Sequence, residues 1–151
     1  MHIAWDTFRQ KSITELVEFI REDIDNSGKE IQLSAAVKPN INTAKSRWFQ
    51  DWKYWLETGL IDMAIPMNYF KEIKDFNLSV QIMKNSLSRD DLKDIIMGIS
   101  TYNQDAQSAA DKILISRLNG FKGVCVFSYD SHKNNLDWFQ PVLEALSSPF
   151  E

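Results

Sequence analysis

Side chains able to do chemistry recur in this 151-residue sequence just after short apolar runs. Lys38 and Asn40 follow the first run, and Asn68 and Tyr69 the second. Thr101, Tyr102 and Asn103 follow the third, and Tyr129, Asp130 and His132 the fourth. Amides and phenols donate and accept hydrogen bonds, and a tyrosine ring lies well against the apolar face of a pyranose. Asp130 is the one acid immediately after such a run. Cleaving a glycosidic bond normally takes two carboxyl groups roughly 5–10 Å apart. Asp105 and Glu72 stand next in line, but Asp105 reads as a helix N-cap and Glu72 as a solvated loop charge. Asp62, Asp90, Asp91 and Asp94 lie at or before the starts of the runs and are set aside.

Other chemistries find less support. Cys125 is the single cysteine, which excludes an internal disulfide and a cysteine-rich zinc site. It lies within the apolar run Gly123–Phe127, where a small buried side chain is expected. The two histidines, His2 and His132, are far apart, so no metal-spaced pair exists. No Walker, dinucleotide or HExxH pattern occurs, and no cofactor or metal is expected. The loops after the third and fourth runs lack the glycine of a barrel phosphate site. A formal charge of −4 and a pI near 5.2 disfavour nucleic acid, which needs clustered Lys and Arg. No apolar run approaches about 18 residues, so no membrane span is expected. The start, Met1 to Asp6, lacks the basic and apolar regions of a signal peptide, and the compartment is left open.

These residues need elements to position them, and the pattern is alternating helix and strand. A helix is expected from Asp6 or Thr7 to Asn26, with Ile13, Leu16, Val17, Ile20 and Ile24 on one stripe and Gly28 as its left-handed stop. Strands are expected at Ile31–Val37, Ile61–Met67, Asp94–Ser100 and Gly123–Ser128. Helices follow at Thr43–Glu57, Phe76–Leu87, Asp105–Leu118 and Leu136–Leu146. Trp48, Trp52 and Trp55 read as helix packing rather than a sugar platform. The strand starts lie about 30 residues apart, the length of one βα unit. Short continuous apolar runs suit parallel strands covered on both faces. The expectation is one α/β domain over 1–151 with four βα units and parallel strands, preceded by a helix.

Two architectures compete: a small open sheet, or half of a (β/α)8 TIM barrel, which needs eight units in about 250 residues. The turn after the first strand, Lys38 to Asn42, carries no glycine, unlike nucleotide-binding open sheets. Four segments then carry a resemblance. Trp5 to Val17 resembles the helix that follows strand four in glycoside-hydrolase-like family ten, a bacterial TIM-barrel family. Gln50 to Tyr69 is similar to its sixth unit, in which a tryptophan-bearing helix leads into an IDxxxPMxY strand. Gly98 to Tyr102 is similar to the seventh strand end, and Gly120 to Tyr129 to the eighth, with its GxxGxxxFSY pattern.

The resemblance implies that the chain is the C-terminal half of a TIM barrel, strands five to eight. It implies a hydrolase acting on a carbohydrate, inactive alone because the acidic residues of strand four lie outside this sequence. The alternative is a non-enzymatic carbohydrate-binding or half-barrel assembly module. A homodimer or a partner chain would complete the barrel, and the family is often exported. In such barrels function sits at the C-terminal ends of the strands. That makes Asp130 the catalytic candidate and Lys38, Asn68, Tyr69, Tyr102 and Tyr129 the substrate-binding candidates. Bland alternatives stand beside each: packing for Asn68 and the tyrosines, an Asx turn for Asp130, solvation for Lys38.

Overall fold

The computed structural model describes residues 2–148. The elements run α1 (His2–Asn26), β1 (Ser34–Val37), α2 (Ile41–Trp48), α3 (Trp52–Glu57), β2 (Met63–Pro66), α4 (Ile73–Ser86), α5 (Arg89–Leu92), β3 (Ile96–Ser100), α6 (Ala106–Leu118), β4 (Gly123–Phe127) and α7 (Gln140–Ser147). Short 3-10 turns at Tyr129–Ser131 and Leu136–Phe139 join β4 to α7. The expected mixed α/β class with parallel strands is present. β1 pairs with β2 and β3 with β4, each pair in parallel. Parallel bridges at Ala64–Ile95 and Met67–Gly98 connect β2 to β3.

Several boundaries differ from the sequence reading. α1 begins before Asp6, whose carboxylate is spent on Arg9 one turn later, at 2.5 Å, rather than on a cap. The expected helix over Thr43–Glu57 is two helices. Phe49 adopts a left-handed backbone, φ 58°, and Gln50 N–H closes on Ala44 O at 3.0 Å. The break turns Gln50 back so that its side-chain oxygen accepts from Lys38 N–H at 3.0 Å. β1 pairs only from Ser34, because Asp62 takes the Leu33 N–H at 2.6 Å.

Register and strand alternation put Ala35, Val37, Ala64, Pro66, Ile95, Met97, Ile99, Val124 and Val126 on one face. α3, α4 and α6 cover that face, and Val37, Ala64, Ile95, Met97 and Ile99 are fully buried there with Phe76, Val80 and Ile113. The other face carries Ala36, Met63, Ile65, Met67, Ile96, Gly98, Cys125 and Phe127, and no element covers it among the described residues. This corrects two expectations: the strands are covered on one face, not two, and Cys125 is exposed rather than buried.

α1 is also half-partnered. Its inner line is Thr14, Val17, Arg21 and Ile24, with Thr14 Oγ1 accepting from the Trp55 indole at 2.9 Å. Leu16, expected on the packed stripe, faces outward with Trp5, Phe8 and Phe19, all more than half exposed. The chain exposes 9302 Å², against about 7,900 Å² for a compact monomer of its mass.

Candidate functional site

The loops at the C-terminal ends of β2, β3 and β4 are joined by polar side chains that reach across. Asn103, after β3, donates from Nδ2 to Tyr69 O at 3.0 Å and accepts from Ser100 Oγ at 2.6 Å. Thr101 bridges to the next loop: its N–H donates to Phe127 O and its hydroxyl to Ser128 O, both at 2.8 Å. His132 Nε2 lies 2.9 Å from Thr101 O, so that nitrogen donates, and the ring stacks on Trp138 at 4.0 Å.

Lys112 is the strongest clamp. It projects from α6, is fully buried, and donates to Phe70 O at 2.9 Å, to Lys71 O at 2.6 Å and to the Gln104 side-chain oxygen. Burial pushes its pKa down, while the carboxylates of Glu72, Asp105 and Asp111 act the other way. It thereby fixes the loop that carries Tyr69 and Phe70.

On this frame sits an aromatic group at the uncovered face. Tyr69 and Phe127 stack with centroids 5.7 Å apart, and Tyr102 meets both edge-on at 6.3 and 6.4 Å. Tyr102 and Phe127 are more than half exposed, so the group is an open platform. Burial raises the Tyr69 phenol above its ordinary value, and Cys125 and Tyr102 add to the rise. Gly98 lies beneath: a Cβ there would meet Pro66 O at 2.7 Å and Tyr69 Cε1 at 3.3 Å.

Lys38 stands beside this platform. A cavity of about 250 Å³ is lined by Lys38, Pro39, Met67, Tyr69 and Phe70. A second, of about 420 Å³, opens between α2 and α4, where Lys38, Pro39 and Phe70 recur with Trp48, Asp75 and Leu78. Lys38 Nζ lies 4.5 Å from the Trp48 ring centroid. Trp52 and Trp55 are buried as expected for packing, but Trp48 is half exposed and lines the larger cavity.

The fourth strand end is looser. Tyr129 is exposed and stacks on Phe139 at 6.2 Å. Asp130 is exposed in a 3-10 turn, and its partner is Lys133 at 3.4 Å. Asp105 caps α6, accepting from Ser108 N–H at 2.8 Å and Ser108 Oγ at 3.1 Å, which hold its carboxyl below the usual range. Asn68 is fully buried beneath the rim and donates to Phe76 O at 3.2 Å, leaving Oδ1 without a partner among the described residues.

The structure thus groups Tyr69 and Tyr102, places Lys38 beside Tyr69, buries Asn68 under them and leaves Tyr129 and Asp130 on a separate turn. Sequence reasoning passed over Phe127, whose parity with Gly123 and Cys125 in β4 puts it on the uncovered face. It also passed over Lys112, because nothing local marks a helix lysine as buried. No group of three His, Cys, Asp or Glu positioned for a metal occurs among the described residues, and none of their helices is long and apolar enough to cross a membrane.

Comparison with known families finds a match. The model described as Glycosyl hydrolase-like 10 matches residues 1–113, from α1 into α6. β4, Tyr129 and Asp130 lie beyond the matched segment. No curated protein matches the chain.

Proposed function

The chain belongs to the glycosyl hydrolase-like 10 family, and from that premise we propose that it forms four consecutive units of a (β/α)8 barrel, strands five to eight, and binds a carbohydrate at its C-terminal rim. The observation that carries this reading is a parallel sheet buried on one face only, with the Tyr69–Tyr102–Phe127 platform at the C-terminal end of the open face. A closed barrel would cover that face, pair the free edges of β1 and β4 and give the outer stripe of α1 a neighbour. The surface of roughly 1,400 Å² beyond a compact monomer fits one side of such an interface.

On this reading Tyr69, Tyr102 and Tyr129 bind sugar rings and hydroxyls, and Lys38 binds beside them. Asn68 holds the Tyr69 loop from below. Asp130 serves as one carboxyl of a hydrolytic pair, and the strands that complete the barrel supply the other. A second reading, a carbohydrate-binding module without catalysis, is favoured by one observation: Asp130 is spent on Lys133 and stands exposed.

Titration calorimetry with a panel of oligosaccharides, run beside a reducing-end release assay, tests the proposal. The expected result is binding without release by this chain alone, and loss of binding in Tyr102→Ala. Release by this chain alone would overturn the missing-carboxyl argument. Absence of binding to every saccharide would overturn the carbohydrate site.

A further inference from the structure

Resting on the carbohydrate reading above, we infer that the preferred glycan carries carboxylates, as uronic-acid chains do, and that Lys38 receives one of them. Lys38 is held in place from three sides. Its N–H donates to Gln50 Oε1 at 3.0 Å, and its C=O accepts from the Trp52 indole at 3.0 Å. Trp52 is fully buried, so this backbone is anchored in the core. The ammonium rests 4.5 Å from the Trp48 centroid.

Other lysines of the chain, Lys45, Lys53 and Lys133, pair with Asp51, Glu57 and Asp130. Lys38 has an aromatic ring in place of an acid, which positions the ammonium without neutralising it. Asp75 lines the larger cavity with it but forms no ion pair with Lys38. Lys38 lies on the wall shared by both cavities, so a chain crossing from the Tyr69 platform toward Trp48 passes its ammonium.

A neutral sugar would cover this charge and strip its water without replacing it, whereas a carboxylate compensates it. The net charge of −4 works against a polyanion at long range, so the attraction is local and selects by charge at one position.

The test uses oligosaccharides of galacturonic acid, of alginate and of hyaluronan, each beside its carboxyl-reduced counterpart, with neutral chito- and cello-oligosaccharides. Reduction removes the charge and keeps the ring and linkage. Calorimetry should show at least one acidic form binding about two- to fivefold tighter than its reduced partner, the upper range for one exposed charge pair. Lys38→Met should bring that ratio to about one, and Lys38→Arg should restore it. Circular dichroism confirms that the variants fold. Equal binding of acidic and reduced forms, or a ratio that survives Lys38→Met, overturns the inference and leaves the carbohydrate reading intact. No binding of any saccharide, acidic or neutral, overturns both.

Discussion

Adding one methyl group at Gly98 should both destabilise the fold and disturb the platform. A Cβ there would stand 2.7 Å from Pro66 O, 3.2 Å from Met67 Cα and 3.3 Å from Tyr69 Cε1. The first two are backbone and cannot retreat freely. Pro66 O accepts from Asn68 N–H at 2.8 Å, and Met67 N–H closes the β1–β2 ladder on Val37 O at 2.8 Å. The Tyr69 ring can swing away only by leaving its stack on Phe127. Overpacking of this kind costs about 1–3 kcal/mol. At about 2 kcal/mol a chain of this size loses roughly 4–8 °C in Tm. The assay is urea and thermal unfolding of Gly98→Ala followed by far-ultraviolet circular dichroism, with oligosaccharide titration of the folded variant. Gly123→Ala is the control, because a Cβ at Gly123 meets nothing within 4 Å in the neighbouring strand. Lower stability and weaker glycan binding are expected for Gly98→Ala alone. If the two variants unfold together and bind alike, the reasoning that Gly98 seats Tyr69 is refuted.

Three other outcomes follow from the same geometry. Lys112 has a folded pKa below its ordinary 10.5, so between the two values the unfolded chain holds a proton that the folded chain has shed, and stability should rise with pH toward 10.5; urea unfolding from pH 7 upward should show that rise in the wild type and not in Lys112→Met. Asn68→Ala should cost about 0.5–1.5 kcal/mol in the same assay by removing the bond from its side-chain amide to Phe76 O, a carbonyl that keeps its own partner within α4. Leu16→Glu with Phe19→Glu should shift sedimentation of a self-associating wild-type chain to the monomer mass, and a wild type already monomeric at micromolar concentration would show that the outer stripe of α1 drives no assembly.

Much of the fold was legible because its signals are local. Gly28 and Gly120 end helices in the left-handed conformation, and the apolar runs at Met63–Pro66, Ile96–Ser100 and Gly123–Phe127 became strands. Asp105 capped its helix because an acid three residues before Ser108 N–H has few better uses. What escaped depends on tertiary placement. An apolar run reads the same whether one face or both are covered, so Cys125 looked buried and is exposed. Phe49 carries no helix-breaking chemistry; the left-handed turn is imposed by contacts, with Arg9 over its ring at 4.1 Å. Of the expected α1 stripe, Val17 and Ile24 lie on the packed line while Leu16 faces outward, and the Trp55–Thr14 bond shows which side packs.

The rim shows a division of labour that residue types alone would not suggest. The polar side chains one would first assign to a ligand are largely consumed by the backbone. Asn103 goes to Tyr69 O, Thr101 to Ser128 O, His132 to Thr101 O, and Lys112 to Phe70 O and Lys71 O. The first three bonds link loops that follow different strands and those of Lys112 tie α6 to the loop after β2, so together they fix three loops against one another. Cross-loop bonds of this kind pre-pay the ordering that binding would otherwise require. The groups left facing outward include aromatic rings, the Lys38 ammonium against Trp48 and the Asp130 carboxylate. Under the proposed reading, such a set holds a ring-shaped, hydroxyl-rich ligand. Under the proposed hydrolytic reading, Asp130 would need a second carboxyl within about 10 Å.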